Sequence, residues 1–127
     1  MYANNFSTSH ADLAEKYMAD KEYEVGTVMM VGGDAEVTSC NINERAIGVV
    51  SANPGVKMNQ TLEGGTYIAL KGRVPVKVIG PVTKGNRIKP YGSGYGKAIT
   101  QADADVFAVA LESSNESGVK LIECVIL

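Results

Sequence analysis

Tyr67-Ile-Ala-Leu-Lys-Gly-Arg-Val-Pro-Val-Lys-Val-Ile-Gly-Pro-Val-Thr-Lys-Gly-Asn86 decides the fold. Two strand-like runs, Tyr67–Leu70 and Val74–Ile79, are punctuated by Gly72, Gly80-Pro81 and Gly85. From Val74 to Ile79 apolar and polar residues alternate, which gives a pleated strand one face to bury, and the Gly-Pro pair then turns the chain. Pro75 cannot donate to a ladder, so its strand is expected at a sheet edge or a bulge, beside a neighbour or a kink. The stretch carries no catalytic side-chain set and reads as scaffold.

The same grammar continues on both sides. Val25, Val28 and Met30 lead into a turn at Val31-Gly-Gly-Asp34, and Glu36–Cys40 is its hairpin partner. Further strands are expected at Ala46–Val50, Arg87–Lys89, Lys97–Ile99, Asp105–Leu111 and Val119–Ile126, with Gly92-Ser-Gly-Tyr-Gly96 as a hairpin tip. Many short strands at roughly 8–12-residue spacing predict a mainly β fold, a small sandwich or barrel of short antiparallel strands. One stretch departs from this pattern. Asp12-Leu-Ala-Glu-Lys-Tyr-Met18 is rich in helix formers, with Leu13 and Tyr17 at helical spacing, and predicts one short helical turn. Residues 1–10 are polar and Asn/Ser-rich, an extended N-terminal arm that orders only against a partner; residues 11–127 form a single β-rich domain.

Composition narrows the function. The chain has 127 residues with 14 Gly, no Trp and a net charge of −2, which is the size of one domain and lacks the basic footprint of a nucleic-acid binder. No nucleic-acid partner is expected. The N-terminus has no basic and apolar signal segment, and no run of about 18 apolar residues occurs, so no membrane partner is expected and synthesis is placed in the cytoplasm. Cys40 and Cys124 stand 84 positions apart without zinc-ligand spacing. Cys124 reads as a buried small hydrophobe; a disulfide between the two is left open.

Chemistry finds little purchase. No phosphate-loop, dinucleotide, metalloprotease or nucleophile-elbow motif is present, and the single His10 reads as a solvated histidine of the arm. Asp34, Glu36, Asp103 and Asp105 read as solvated surface acids, so neither a metal nor a cofactor is expected. A glycan-binding tip would rest on Tyr91 and Tyr95 alone. Asp12 and Glu15, three apart, would share a helical face and could form a proton-transferring carboxylate pair if an apolar wall raised one pKa; as ordinary residues they favour a helix start.

Taken in order, Ala11-Asp-Leu-Ala-Glu-Lys-Tyr17, Tyr23-Glu-Val-Gly-Thr-Val28, Gly32-Gly33, Ile47-Gly-Val-Val-Ser-Ala-Asn-Pro54, Tyr67–Val78 and Gly80-Pro-Val-Thr-Lys-Gly85 resemble a β-rich domain of tailed-phage virion proteins, including those of cyanophages. The resemblance covers about residues 10–125. It is similar to the self-cleaving intramolecular chaperone domain of phage neck appendage and tail fibre proteins. That resemblance implies a trimer-forming β scaffold on a virion, partnered with capsid or tail proteins, most simply a capsid decoration (cement) protein. It also places Asp12 and Glu15 at the acidic positions after the cleavage point of the self-cleaving members. The family's aromatic residues around the second acid are replaced here by Ala14 and Lys16, so the expected role is non-enzymatic, with autoproteolysis by Asp12 and Glu15 as the alternative.

Overall fold

The computed structural model describes residues 11–127, so the expected arm at residues 1–10 and His10 lie outside the described residues. Ten strands follow one another: β1 (Asp12–Tyr17), β2 (Val28–Val31), β3 (Val37–Ser39), β4 (Gly48–Val50), β5 (Val56–Met58), β6 (Thr66–Ile79), β7 (Arg87–Gly92), β8 (Tyr95–Ile99), β9 (Ala108–Ala110) and β10 (Val119–Ile126). The fold is all β among the described residues, as the spacing of turns predicts. Among the described residues no helix is long and apolar enough to cross a membrane.

The deciding stretch is one strand, not two. β6 runs unbroken for 14 residues and belongs to two assemblies. Its second half closes a five-stranded barrel, β6-β10-β9-β7-β8 and back to β6, the last step a short parallel contact of Val78 with Gly96. Its first half lies between β1 on one side and β4, β2 and β3 on the other, with β5 outside β1, and this sheet curls round so that the chain just after β1 bridges β3 at Ala19 and Val37.

Gly72 joins the halves. Before it, Ala69 points into the main core; after it, Val74, Val76 and Val78 do, so the inward residues change from odd to even positions. Side chains alternate strictly along a strand, so this change needs a break in the pleat, and a bulge supplies it. The register with β1 slips there: Leu13 faces Lys71 and Ala14 faces Ala69, leaving Leu70 extra. Gly72 adopts φ +98°, and a Cβ on it would stand 2.4 Å from the carbonyl oxygen of Ala11. Only glycine combines that backbone with that approach.

Pro75 is placed differently from expectation. β6 is central, and Pro75 pairs with Glu123 of β10. Its neighbours two residues away on either side, Arg73 and Lys77, send their N–H groups away from β10, to Ala11 O (3.2 Å) and Gly26 O (2.9 Å). By alternation the imide nitrogen of Pro75 points to that same side, into the gap where β1 has ended. A proline is tolerated where the ladder asks for no donor.

The predicted helical turn is a strand. In Asp12–Tyr17 the pattern of burial has a period of two, with Asp12 and Ala14 buried, and the backbone is laddered to β5 and β6 at once. Helix propensity differences of about 0.5 kcal/mol per residue are overridden by pairing on both sides. β5 follows the Asn53-Pro54-Gly55 turn and lies outside every predicted strand. The Gly92–Gly96 hairpin occurs as expected, turning through Ser93 (φ 58°) and Gly94 (φ 78°). Its tip is tied down: Gly94 N–H donates to Cys40 O at 3.1 Å and Gly94 O accepts from Val28 N–H at 2.8 Å.

Two cores result. The larger fills the barrel and continues under the sheet, with Ile88, Phe107, Ile122, Cys124 and Ile126 among its members; the smaller, Met29, Val37, Val50 and Ile68, lies on the sheet's other side. Cys40 and Cys124 are both buried and both free thiols. Burial pushes the Cys40 thiol up to about 11 and the Cys124 thiol up to about 12. Thiol reagents react with thiolate, so neither cysteine should be labelled by a disulfide reagent at pH 8 until denaturant is added, and a rapid reaction in native buffer would contradict the packing.

Burial raises the Glu123 carboxyl above its usual value, reinforced by Glu112 and opposed by Arg73, whose Nε lies 3.7 Å from Glu123 Oε1. A carboxyl whose folded pKa exceeds its unfolded pKa stabilises the fold fully below the unfolded value, and this is lost as pH rises through the folded value. Glu123→Gln should therefore melt higher than the parent at pH 7, by about 1 °C given partial solvent screening, and the difference should vanish near pH 3.5.

Candidate interaction surface

The smaller core lies on the sheet's second side, which the chain after β1 helps to enclose where Ala19 bridges Val37. Leu13, Glu15 and Tyr17 project there from β1; Val56 and Met58 of β5 stand in register with Leu13 and Glu15, and Ile68 of β6 faces Glu15. Met29, Val37, Val50 and Ile68 are buried beneath a half-exposed fringe of Tyr17, Ala19, Tyr23, Ile47 and Leu70. Val56 is 58 % exposed at one margin. A cavity of about 130 Å³ is lined in part by Arg45, Ile47, Leu70 and Asp105 and by Phe107 and Ile126 of the larger core.

The sheet's two margins differ. β3 is covered along its outer side by the segment after β1: Met18 O accepts from the N–H groups of Glu36 (2.9 Å) and Val37 (3.1 Å), and Asp20 N–H donates to Val37 O. The Glu36 carboxylate accepts from Met18 N–H at 2.8 Å. Asp20 accepts from the hydroxyls of Tyr23 (2.6 Å) and Thr38 (2.9 Å), and the Tyr23 bond above all lowers its pKa. The strand left with one unpaired side is β5, which among the described residues pairs only with β1. Lys16 and Lys57 both lie over the Tyr67 ring there, 5.3 and 5.9 Å from its centre.

The predicted carboxylate pair is not brought together. In a strand, residues three apart point to opposite sides. Asp12 is buried, with the Ser51 hydroxyl donating to its Oδ2 at 2.7 Å. Glu15 lies on the other side and accepts from the Tyr17 hydroxyl at 3.1 Å; burial first, and then Glu15, raises the Tyr17 phenol pKa. Ser51 carried no signal in the sequence, since its partner comes from a strand 39 positions away. Of the surface acids, Asp103 accepts from Lys89 Nζ and Asp105 N–H, which hold it below the usual carboxylate range. No cluster of His, Cys, Asp and Glu that could hold a metal ion occurs among the described residues. Tyr91 is exposed under the Lys97 ammonium, while Tyr95 lines a separate groove with Tyr23 and Lys77. The two tyrosines do not make one stacking platform.

No family model matches this chain, and no curated protein matches it in sequence. Its fold is nevertheless shared with solved structures from bacteriophage phi29. Pre-mature gene product 12 matches with a TM-score of 0.73 at 12 % identity over 92 % of this chain, which spans 21 % of that protein's length. The C-terminal fragment of gene product 12 matches with a TM-score of 0.71 at 12 % identity, covering 91 % of this chain and all of the fragment. The N base of head fiber gp8.5 matches with a TM-score of 0.60 at 15 % identity, covering 91 % of this chain and 93 % of that one.

Proposed function

We propose that this chain is a non-enzymatic structural protein of a bacteriophage particle, a homotrimer that decorates the capsid and stabilises neighbouring subunits. It would be made in the host cytoplasm and reside in the virion. The observation that carries this reading is the fold, shared over nearly the full length of both chains with a phage head fiber base. The head fiber likeness favours the capsid over the tail. A tail or fibre-associated protein of the autoproteolytic chaperone type is the second reading, favoured by the likeness to gene product 12.

Light scattering of the purified protein at micromolar concentration tests the reading, together with co-sedimentation on phage heads. A mass about three times 13.4 kDa and saturable binding to heads are expected. A monomer that leaves heads untouched would overturn it; a trimer that binds only tails would select the second reading.

A further inference from the structure

We infer that the unpaired side of β5 is a docking edge for an extended segment of a partner protein, one that alternates apolar and acidic residues and adds to the sheet as a further strand. The five-stranded barrel closes on itself and β3 is covered by Met18–Asp20, whereas β5 pairs only with β1 among the described residues. Gly55 N–H donates to Asp12 O at 2.9 Å. By alternation the Lys57 N–H also faces β1, and the N–H and C=O groups of Val56 and Met58 face outward. Outward backbone groups on an edge strand are a ready template for another chain.

The side chains about this edge say which strand fits. Register sets Val56 beside Leu13 and Lys57 beside Ala14, on opposite sides of the sheet. On the first side the exposed Val56 borders a depression formed with Leu13, Gly55, Lys71 and Gly72. On the second, Lys57 and Lys16 both lie over the Tyr67 ring. Lys16 Nζ donates to the carbonyl oxygens of Gln60 at 3.0 Å and Leu62 at 3.2 Å, and neither lysine joins an ion pair among the described residues. Asp12 on that side is buried and bonded to Ser51, and Glu63 is the one acid between Ser51 and Thr66. An incoming strand alternates its side chains in the same way. An apolar residue facing Val56 leaves its neighbours facing Lys57 and Lys16, where carboxylates are attracted and ammoniums repelled. A second copy presenting its own β5 would bring Lys57 to Lys57, so the lysine that turns away a like edge admits an acidic one.

The probe is a synthetic peptide, acetyl-Ser-Glu-Val-Glu-Val-Glu-Ser-amide, titrated into the full chain by calorimetry, with the same peptide carrying Lys in place of Glu as control. Saturable binding at least tenfold tighter for the acidic peptide is expected, and Lys57→Glu should reverse the preference with unchanged circular dichroism. Strand addition is read separately. The amides of Val56 and Met58 should exchange hydrogen at least tenfold more slowly with the acidic peptide present, while that of Lys57, which already faces β1, should not change. Of two peptides N-methylated at the valines or at the glutamates, one should bind as before and the other lose at least tenfold, because alternate amides face β5. Acidic and basic peptides that bind alike, or no binding up to about 1 mM, would overturn the proposal. Binding that ignores N-methylation and leaves the Val56 and Met58 amides unprotected would overturn it too, as a charge contact without a strand. The result reads the same on a monomer as on a trimer, so its failure is distinct from failure of the functional reading.

Discussion

Gly72→Ala should unfold at a temperature roughly 10 °C below the parent, a loss of about 3 kcal/mol, and Gly72→Val should fail to fold. Two costs add. An alanine held at positive φ costs about 1–2 kcal/mol. Its Cβ also meets backbone, the Ala11 carbonyl oxygen at 2.4 Å and Asp12 Cα at 3.0 Å, which no rotamer change can relieve. Gly80 separates the two. It has a similar φ, +84°, but nothing within 4 Å of a built Cβ, so Gly80→Ala should show only the first cost, about 1 kcal/mol. Thermal melts of the two variants side by side measure the difference. Equal effects would mean that β1 is not held against β6 as described.

The second large effect concerns Asp12. Asp12→Ala should lose about 2–3 kcal/mol in urea titration, because the buried Ser51 hydroxyl loses its acceptor and Asp12 leaves a space at the end of the sheet. Asp12→Asn keeps an oxygen that can accept from Ser51 and should lose less. Glu15→Ala removes an acceptor from a half-exposed tyrosine and should stay within about 0.5 kcal/mol of the parent. Intact-mass measurement on the same proteins addresses cleavage. The structural reading expects the parent to keep its full mass over days. A parent that loses residues before about His10, with a Glu15→Ala variant that does not, would establish the autoproteolytic reading in its place.

These two positions also mark where the sequence was legible and where it was not. The alternation from Val74 to Ile79, the Gly92–Gly96 hairpin and the closing run Val119–Ile126 all report local physics, and each occurs as a strand or turn where the pattern puts it. β1 is illegible in the sequence because its residues favour a helix when isolated, and what makes it a strand is a pair of ladders to chain that arrives 40 to 60 residues later. β6 reads as two strands because Gly72 looks like punctuation, whereas the bulge beside it, with Leu70 as the extra residue, lets one strand continue. β5 is three residues long, too short for alternation to announce it, and its place at the sheet margin depends wholly on β1. The candidate surface inherits both errors. With Asp12–Tyr17 taken as helical, Asp12 and Glu15 form a pair on one face, and with the strand in place they part.

The continuity of β6 also bears on how the molecule comes apart. Barrel and sheet have no separate backbone of their own at this point, since the same 14 residues serve as a stave of one and the middle of the other. Neither half can melt without removing a wall from its neighbour, so the chain has no smaller foldon to shed and should respond to force or heat as one cooperative unit. Under load such a domain is an all-or-none mechanical element: intact until the force exceeds what the whole of it bears.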